Sequence, residues 1–268
     1  MRPRPDDIFV CAFPKSGTTW IQHIVHQLLA MGYVSPMIEG PDAASVEAME
    51  SPRILKSHLT YADIPKGGGA KYIYVCRNPK DCLTSFYHHH RTWEHYEFEH
   101  GDFDVFFDLF MDGRISFGDY FDHLNSWLES IEKQEENILF LKYEDMLVDL
   151  PSAVVQISNF LEGKAAEIVK DEKKLDKIIE ASSLASMKMN QNRWFSNIYF
   201  QPIHRDKFIR KGGSRDWKNH FSLEQSERMD ERFRQRLTAS AAGGWWKKEM
   251  AWEGGQNENA GEPRMAML

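Results

Sequence analysis

A single α/β domain with a central parallel sheet flanked by helices is the fold that this sequence predicts, on three observations. Short apolar runs alternate with longer amphipathic ones, the pattern of parallel strands joined by helical crossovers. Two of the short runs end in polar turns that lead straight into helices, the arrangement by which open α/β sheets bind ligands. The chain has 268 residues, 42% of them hydrophobic and 27% charged, enough to bury a sizeable core and solvate its surface.

The elements follow in order. Residues 7–13, DIFVCAF, read as a buried strand closed by Pro14 and Gly17. Residues 20–31 read as a helix, with Ile21, Ile24, Val25, Leu28 and Leu29 at helical spacing and Gly32 able to end it. Residues 53–57 are a second strand. Residues 71–76, KYIYVC, are a third, preceded by the turn Gly67-Gly68-Gly69, and residues 138–142, ILFLK, are a fourth. Asn78-Pro79, with Asp81 in the first turn, has the chemistry of a helix start, and a helix is expected from Pro79 to about Arg91. Further helices are expected around 118–130, 151–161, 173–180 and 223–237. The domain spans 1–268, and its Gly-, Asn- and Glu-bearing tail is expected to be loose from about residue 247.

Composition narrows the function. The net charge of −7 argues against a nucleic-acid partner, so an anion site must be built from a few placed residues. Cys11, Cys76 and Cys82 are odd in number and lack metal-ligand spacing, which fits a reducing compartment. The sequence has no run of apolar residues long enough to span a membrane and no apolar signal core near MRPRPDD, so a cytoplasmic location is expected.

The segment Pro14-Lys15-Ser16-Gly17-Thr18-Thr19-Trp20 joins the first strand to its helix. Gly17 allows close backbone approach, and the amides of Gly17, Thr18 and Thr19 would open the helix as a phosphate cradle. Lys15 adds a cation. The loop is P-loop-like, yet its lysine precedes the glycine and the first glycine of the nucleotide-kinase pattern is absent. His58 and Lys56, two residues apart on an extended segment, share a side.

Taken together, PKSGTTW at 14–20, LKSHL at 55–59, YVCRNPKDCLTSFYH at 74–88, FMDGRISFGDYFDH at 110–123, LKYEDM at 141–146 and RKGGSRDWK at 210–218 resemble, in order, the motifs of the cytosolic sulfotransferase family. The match runs from about Asp7 to Trp246. The resemblance implies a donor, 3′-phosphoadenosine 5′-phosphosulfate (PAPS), with product PAP, and no metal. It implies that the 14–20 loop binds the phosphosulfate through Lys15, Ser16, Gly17, Thr18 and Thr19. It makes His58 the general base, with Lys15 and Lys56 stabilising the transition state. It places Arg77, Ser85, Arg210, Lys211 and Gly212 on the 3′-phosphate, and Trp20, Tyr143, Ser182, Leu184 and Phe208 around the nucleotide. Leu184 stands where relatives usually carry an aromatic. Phe86, Tyr87 and His89 are the implied acceptor walls, and a polar His89 suggests an amine or extra hydroxyl on a small-molecule acceptor. The short lead before the first strand implies a more open acceptor side. Lys218, Ser222, Leu223 and Glu227 resemble the family's homodimer motif. The consecutive His88, His89 and His90 point different ways around a helix and cannot share one metal. An ATP-using kinase would need the ordinary loop order and a Mg²⁺ ligand. A protein that holds PAPS or PAP without catalysis remains open, as it needs the donor site but not His58.

Overall fold

A computed structural model describes residues 1–30, 38, 43–189 and 209–253. Four parallel strands, β1 (Ile8–Cys11), β2 (Ile54–Ser57), β3 (Lys71–Cys76) and β4 (Ile138–Lys142), form one sheet in the order β2-β1-β3-β4. The register sets Val10 opposite Lys56 on one side and opposite Ile73 on the other. β1 is therefore internal, and the chain passes to opposite sides of it when it makes β2 and then β3. The crevice between the carboxyl ends of β1 and β3 is the topological switch point where such sheets bind ligands.

Side-chain alternation splits the interior into two cores. Phe9, Cys11, Phe13, Leu55, Tyr72, Tyr74 and Cys76 face one way. Ile8, Val10, Ala12, Ile54, Ile73, Val75 and Leu141 face the other. Burial on both faces explains why these strands read as continuous apolar runs.

Helices cover each face through apolar stripes. On the second face lie α1 (Thr18–Leu29), α6 (Tyr143–Val148), α7 (Leu150–Leu161), α8 (Gly163–Ile168) and α9 (Glu172–Ser182). The first face carries α3 (Pro79–Thr92), α4 (Phe103–Met111), α5 (Tyr120–Glu132) and α11 (Leu223–Leu237). The remaining helices are short: α2 (Ala43–Ala48), α10 (Leu184–Met189) and α12 (Lys247–Met250). Each fully buried Leu, Ile or Phe in these layers contributes roughly 1.5–3 kcal/mol.

The four expected strands and six expected helices are all present, with shifted ends. The first helix begins at Thr18, because Gly17 already has the left-handed backbone of its cap, and closes at a left-handed Ala30; Gly32 lies outside the described residues. The fifth helix starts at Tyr120, because Asp119 accepts from the amides of Phe121 and Asp122. The helices α2, α4, α6, α8 and α10 were not expected. At the start of the tail expected to be loose from about residue 247, Lys247–Met250 is helical, and the buried ammonium of Lys80 donates to the Met250 carbonyl at 2.7 Å. Residues 254–268 lie outside the described part.

One buried ion pair ties the amino ends of β1 and β2. Arg53 donates from Nε to Asp7 Oδ1 (2.7 Å) and from a terminal nitrogen to Oδ2 (2.5 Å). Both side chains are fully buried. Removing one partner strands the other charge in the core. Arg53→Ala is expected to lower stability by about 3–5 kcal/mol, read as a lower urea midpoint at unchanged m-value; a loss below about 1 kcal/mol would show that water reaches Asp7.

Candidate active site

The turn from β1 into α1 is strained where it meets the cleft. Lys15 has a φ of 69° and Gly17 a φ of 115°. At Gly17 no side chain fits, since a Cβ would stand 2.9 Å from Cδ2 of Tyr143. The turn is closed from below by Ser16 N donating to the Phe13 carbonyl (3.3 Å) and by the Cys82 thiol donating to the Pro14 carbonyl (3.3 Å). The first amides of α1 have no intrahelical acceptor and carry the positive end of the helix dipole into the cleft.

His58 follows β2 directly and is 7% exposed. Its Nδ1 lies 2.6 Å from the Ala12 carbonyl. A carbonyl only accepts, so Nδ1 carries the proton and Nε2 keeps the lone pair. Burial, then the charge of Lys56, holds this imidazole well below its ordinary pKa, so it is neutral at pH 7. Its backbone is pinned as well: His123 Nε2 donates to the His58 carbonyl (3.1 Å), while the Tyr74 hydroxyl donates to His123 Nδ1 (3.1 Å). Phe117 sets its ring edge-on to His58 at 5.1 Å.

Lys15, Lys56 and His58 line one cleft with Arg77 and Ser85. Burial, followed by the nearby charges of Lys56, Arg77 and Arg210, lowers the Lys15 ammonium to about 7. Arg77, at the end of β3, donates to the carbonyls of Lys15 (3.3 Å) and Gly213 (3.0 Å) and stacks its guanidinium 4.5 Å from the Tyr143 ring centre. Its Nε is buried without a hydrogen-bond partner among the described residues. A buried orphan donor costs stability unless a ligand meets it. Arg77 together with Lys15 and Lys56 fits a polyanionic ligand.

Arg210 and Lys211 also line the cleft, but both bond to the carboxylate of Asp216. Burial raises the Asp216 carboxyl, yet bonds from Lys211, Arg210 and Asn219 outweigh that and hold it well below the usual carboxylate range. Gly212, at a φ of 71°, packs so closely on Leu184 that a Cβ would clash. The hydroxyl of Tyr143 donates to the Gly212 carbonyl (3.0 Å). Trp20 meets Tyr143 edge to face at 5.4 Å. Trp20, Tyr143 and Leu184 thus wall one end of the cleft.

Four of the residues singled out in the sequence do not open on it, and one cannot be placed. Ser16 is fully buried, with its hydroxyl 3.7 Å from the Cys82 sulfur and its amide donating to the Phe13 carbonyl, so it closes the turn from behind. Ser182 is fully buried: its hydroxyl accepts from Gln27 (2.8 Å) and its carbonyl from the Trp20 indole (2.8 Å), which makes it a prop behind Trp20. Phe86 and Tyr87 belong to the core, Tyr87 donating to the Gly101 carbonyl at 3.0 Å. Their helix turns His89 to the cleft instead. Phe208 lies outside the described residues. The structure adds Asp216, Leu147, Met187 and Ile209 to the lining and Phe117 beside His58. Asp216 stood within RKGGSRDWK and Phe117 within FMDGRISFGDYFDH; Leu147, Met187 and Ile209 carry no signal in the sequence beyond being apolar.

The three consecutive histidines diverge. His88 Nε2 lies 3.2 Å from His220 Nε2, His89 Nδ1 accepts from the Trp93 indole, and His90 Nδ1 meets the Phe86 carbonyl. His88, His220 and Asp216 could reach one cation, but Arg210 and Lys211 already occupy the carboxylate and repel a metal.

Comparison with known proteins places the chain in a family. The sulfotransferase domain pattern matches residues 5–241. Human sulfotransferase 1C2 is 37% identical over 262 residues, covering 89% of this chain and 85% of the relative. Rabbit amine sulfotransferase is 36% identical, covering 87% and 81%. A mouse sulfotransferase, SULT7A1, crystallised with PAP, superposes with a TM-score of 0.76 at 29% identity, covering 91% of this chain and 88% of that one. The chain belongs to the sulfotransferase domain family.

The crowding of cations is directly measurable. In the ligand-free protein, trace acetylation over a pH series is expected to give Lys15 an apparent pKa of about 7, and Lys56→Met is expected to raise it. An ordinary lysine titration, unmoved by Lys56→Met, would mean that the two ammonium groups do not share the cleft.

Proposed function

We propose that this chain transfers a sulfuryl group from PAPS to the hydroxyl or amine of a small acceptor, a phenol, catecholamine, alcohol or steroid. The observation that carries the reading is a neutral, oriented His58 on the same cleft as Lys15, Lys56 and a buried Arg77 donor with no partner among the described residues. When bound, PAPS supplies the sulfuryl group and a phosphate leaving group. The amides at the start of α1 and Lys15 would hold the phosphosulfate. Arg77, Ser85, Arg210, Lys211 and the Gly212 backbone would hold the 3′-phosphate, and Trp20, Tyr143 and Leu184 would pack the adenine.

His58 accepts the acceptor's proton at Nε2, while the Ala12 carbonyl keeps Nδ1 protonated and the ring oriented. Charge grows on the leaving oxygen during transfer, so Lys15 and Lys56 act most strongly in the transition state, in a cleft of low effective dielectric. No step calls on a metal. A cytoplasmic location fits the lack, among the described residues, of any helix long and apolar enough to cross a membrane. The segment from Lys218 to Glu227 is proposed as a homodimer contact. Ser222 caps α11 there, and Leu223 is 51% exposed. Leu223→Asp is expected to shift sedimentation from dimer to monomer; a monomeric parent protein would remove the contact.

The transfer itself is tested with sulfur-labelled PAPS and a panel of phenols, catecholamines and steroids. His58→Ala is expected to lower kcat at least about 100-fold while PAP affinity stays within about twofold. The value of kcat/KM for PAPS reports the free enzyme. It should be highest where Lys15 is charged, below about pH 7, and decline as pH rises through the Lys15 pKa of about 7. The limb due to His58 protonation lies well below pH 6.5. Tight PAP binding without transfer to any acceptor would favour a holding protein, and no PAP binding would remove the donor site.

A further inference from the structure

The resemblance makes His89 an acceptor wall and leaves open whether it favours an amine or an oxygen; the bonding of His89 in the structure separates the two. It lies on α3, is half-buried and lines the cleft that also holds His58, Lys15 and Lys56. The indole Nε1 of Trp93, one turn further along the chain, lies 3.0 Å from His89 Nδ1. An indole N–H only donates. Nδ1 must therefore hold a lone pair, which leaves the proton on Nε2. An imidazolium would lose this bond, because both of its nitrogens carry protons. Burial, then the charge of Lys15, also disfavours the cation. Nε2–H has no hydrogen-bond partner among the described residues.

Of the three described histidines that line the cleft, His58, His88 and His89, His58 and His89 are neutral imidazoles of opposite tautomer. His58 presents a lone pair at Nε2 and His89 presents a proton at Nε2. An acceptor spanning both must donate to one and accept from the other. We propose that His89 is a specificity-determining residue whose Nε2–H selects hydroxylated acceptors carrying a second, hydrogen-bond-accepting oxygen. The inference rests on the sulfuryl-transfer reading above and names the acceptor class within it. A hydroxyl, ether or carbonyl oxygen satisfies His89. A methylene leaves the donor unpaired, and an ammonium meets an N–H beside two lysines. Of the two substituents that a polar residue at this position suggests, an extra oxygen and an amine, the geometry favours the oxygen.

The test compares matched phenols bearing methoxy, ethyl or aminomethyl groups at the ortho, meta and para positions, so that size is held nearly constant. For the parent protein, kcat/KM for methoxy over ethyl is expected to be roughly tenfold at one ring position, with the aminomethyl analogue poorest. The ratio should fall to near one in His89→Phe and stay severalfold in His89→Gln, which keeps an N–H donor. Trp93→Phe, which frees the tautomer, should shrink it as well. Calorimetric binding of the same phenols to the PAP complex should show the same ordering without turnover. Nitrogen NMR of histidine-labelled protein should find His89 protonated at Nε2. A ratio unchanged by His89→Phe, equal binding of methoxy and ethyl phenols, or a proton on Nδ1 would each overturn the proposal. Failure of the parent protein to modify these phenols or any catecholamine, alcohol, steroid or amine while these binding preferences persist would overturn the sulfuryl-transfer reading and leave the role of His89 standing.

Discussion

The structure depends on holding several positive charges together at one edge of a parallel sheet. Lys15, Lys56, Arg77, Arg210 and Lys211 converge on the crevice at the carboxyl ends of β1–β3, in a chain whose net charge is −7. Two unit charges about 4 Å apart repel by about 1 kcal/mol in water and about 4 kcal/mol at the effective dielectric of a protein surface. Such a cluster does not assemble unless its frame is strong. The frame is a buried polar hub beneath Arg77. Asn78 caps α3 and bonds through its amide to Asp81 and Glu144. Asp81 in turn accepts from the amides of Arg215 and Trp217, which fixes the turn that follows Arg210 and Lys211. Glu144 also accepts from the Trp246 indole at 2.7 Å. Segments distant in sequence are thereby locked to the ends of β3 and β4.

Lone pairs and protons in the cleft are assigned by neighbours with fixed chemistry. The Ala12 carbonyl dictates the tautomer of His58, and the Trp93 indole dictates the opposite tautomer of His89. The His58 carbonyl does the same for His123, which then accepts from Tyr74. These assignments use groups that cannot reverse their roles, so they do not depend on pH in the neutral range. Positioning reaches from β3 through α5 to the residue after β2, a path that no short motif reveals.

Much of this was legible in the sequence, for physical reasons that also mark where legibility stops. Strands buried on both faces write themselves as short apolar runs, and all four were found. Glycine and lysine in a strand-to-helix turn have few uses, so the cradle at 14–20 could be read from its residues. α4 was missed because Phe103, Phe106, Phe107 and Phe110 are aromatic, and aromatic runs serve strands and helices alike. Ser182 was placed on a ligand from a hydroxyl alone, but the sequence does not show that Gln27 and Trp20 consume its polar atoms. Phe86, Tyr87 and His89 could not be sorted by sequence. Around α3, Tyr87 lies about 100° from Phe86 and His89 about 60° from Phe86 on the other side, and only the packing of neighbouring elements against that helix decides which of them faces the cleft.

Asp216 shows why charge alone is a poor guide to a binding residue. Arg210-Lys211 reads as a free pair of cations, but in the folded chain both sit on one buried carboxylate. That carboxylate lowers the repulsion that the pair would impose on Lys15 and Arg77. It also spares Arg210 and Lys211 much of the conformational freedom they would lose on meeting an anion, which reduces the ordering cost of binding. The same bonds must weaken before the cations can turn fully to a phosphate, so part of the binding energy goes into exchanging one anion for another. Arg77 differs, because its Nε is buried without a hydrogen-bond partner among the described residues. The cations of the cleft therefore differ in kind: Arg77 bonds to the backbone carbonyls of Lys15 and Gly213, whereas Arg210 and Lys211 share an internal carboxylate.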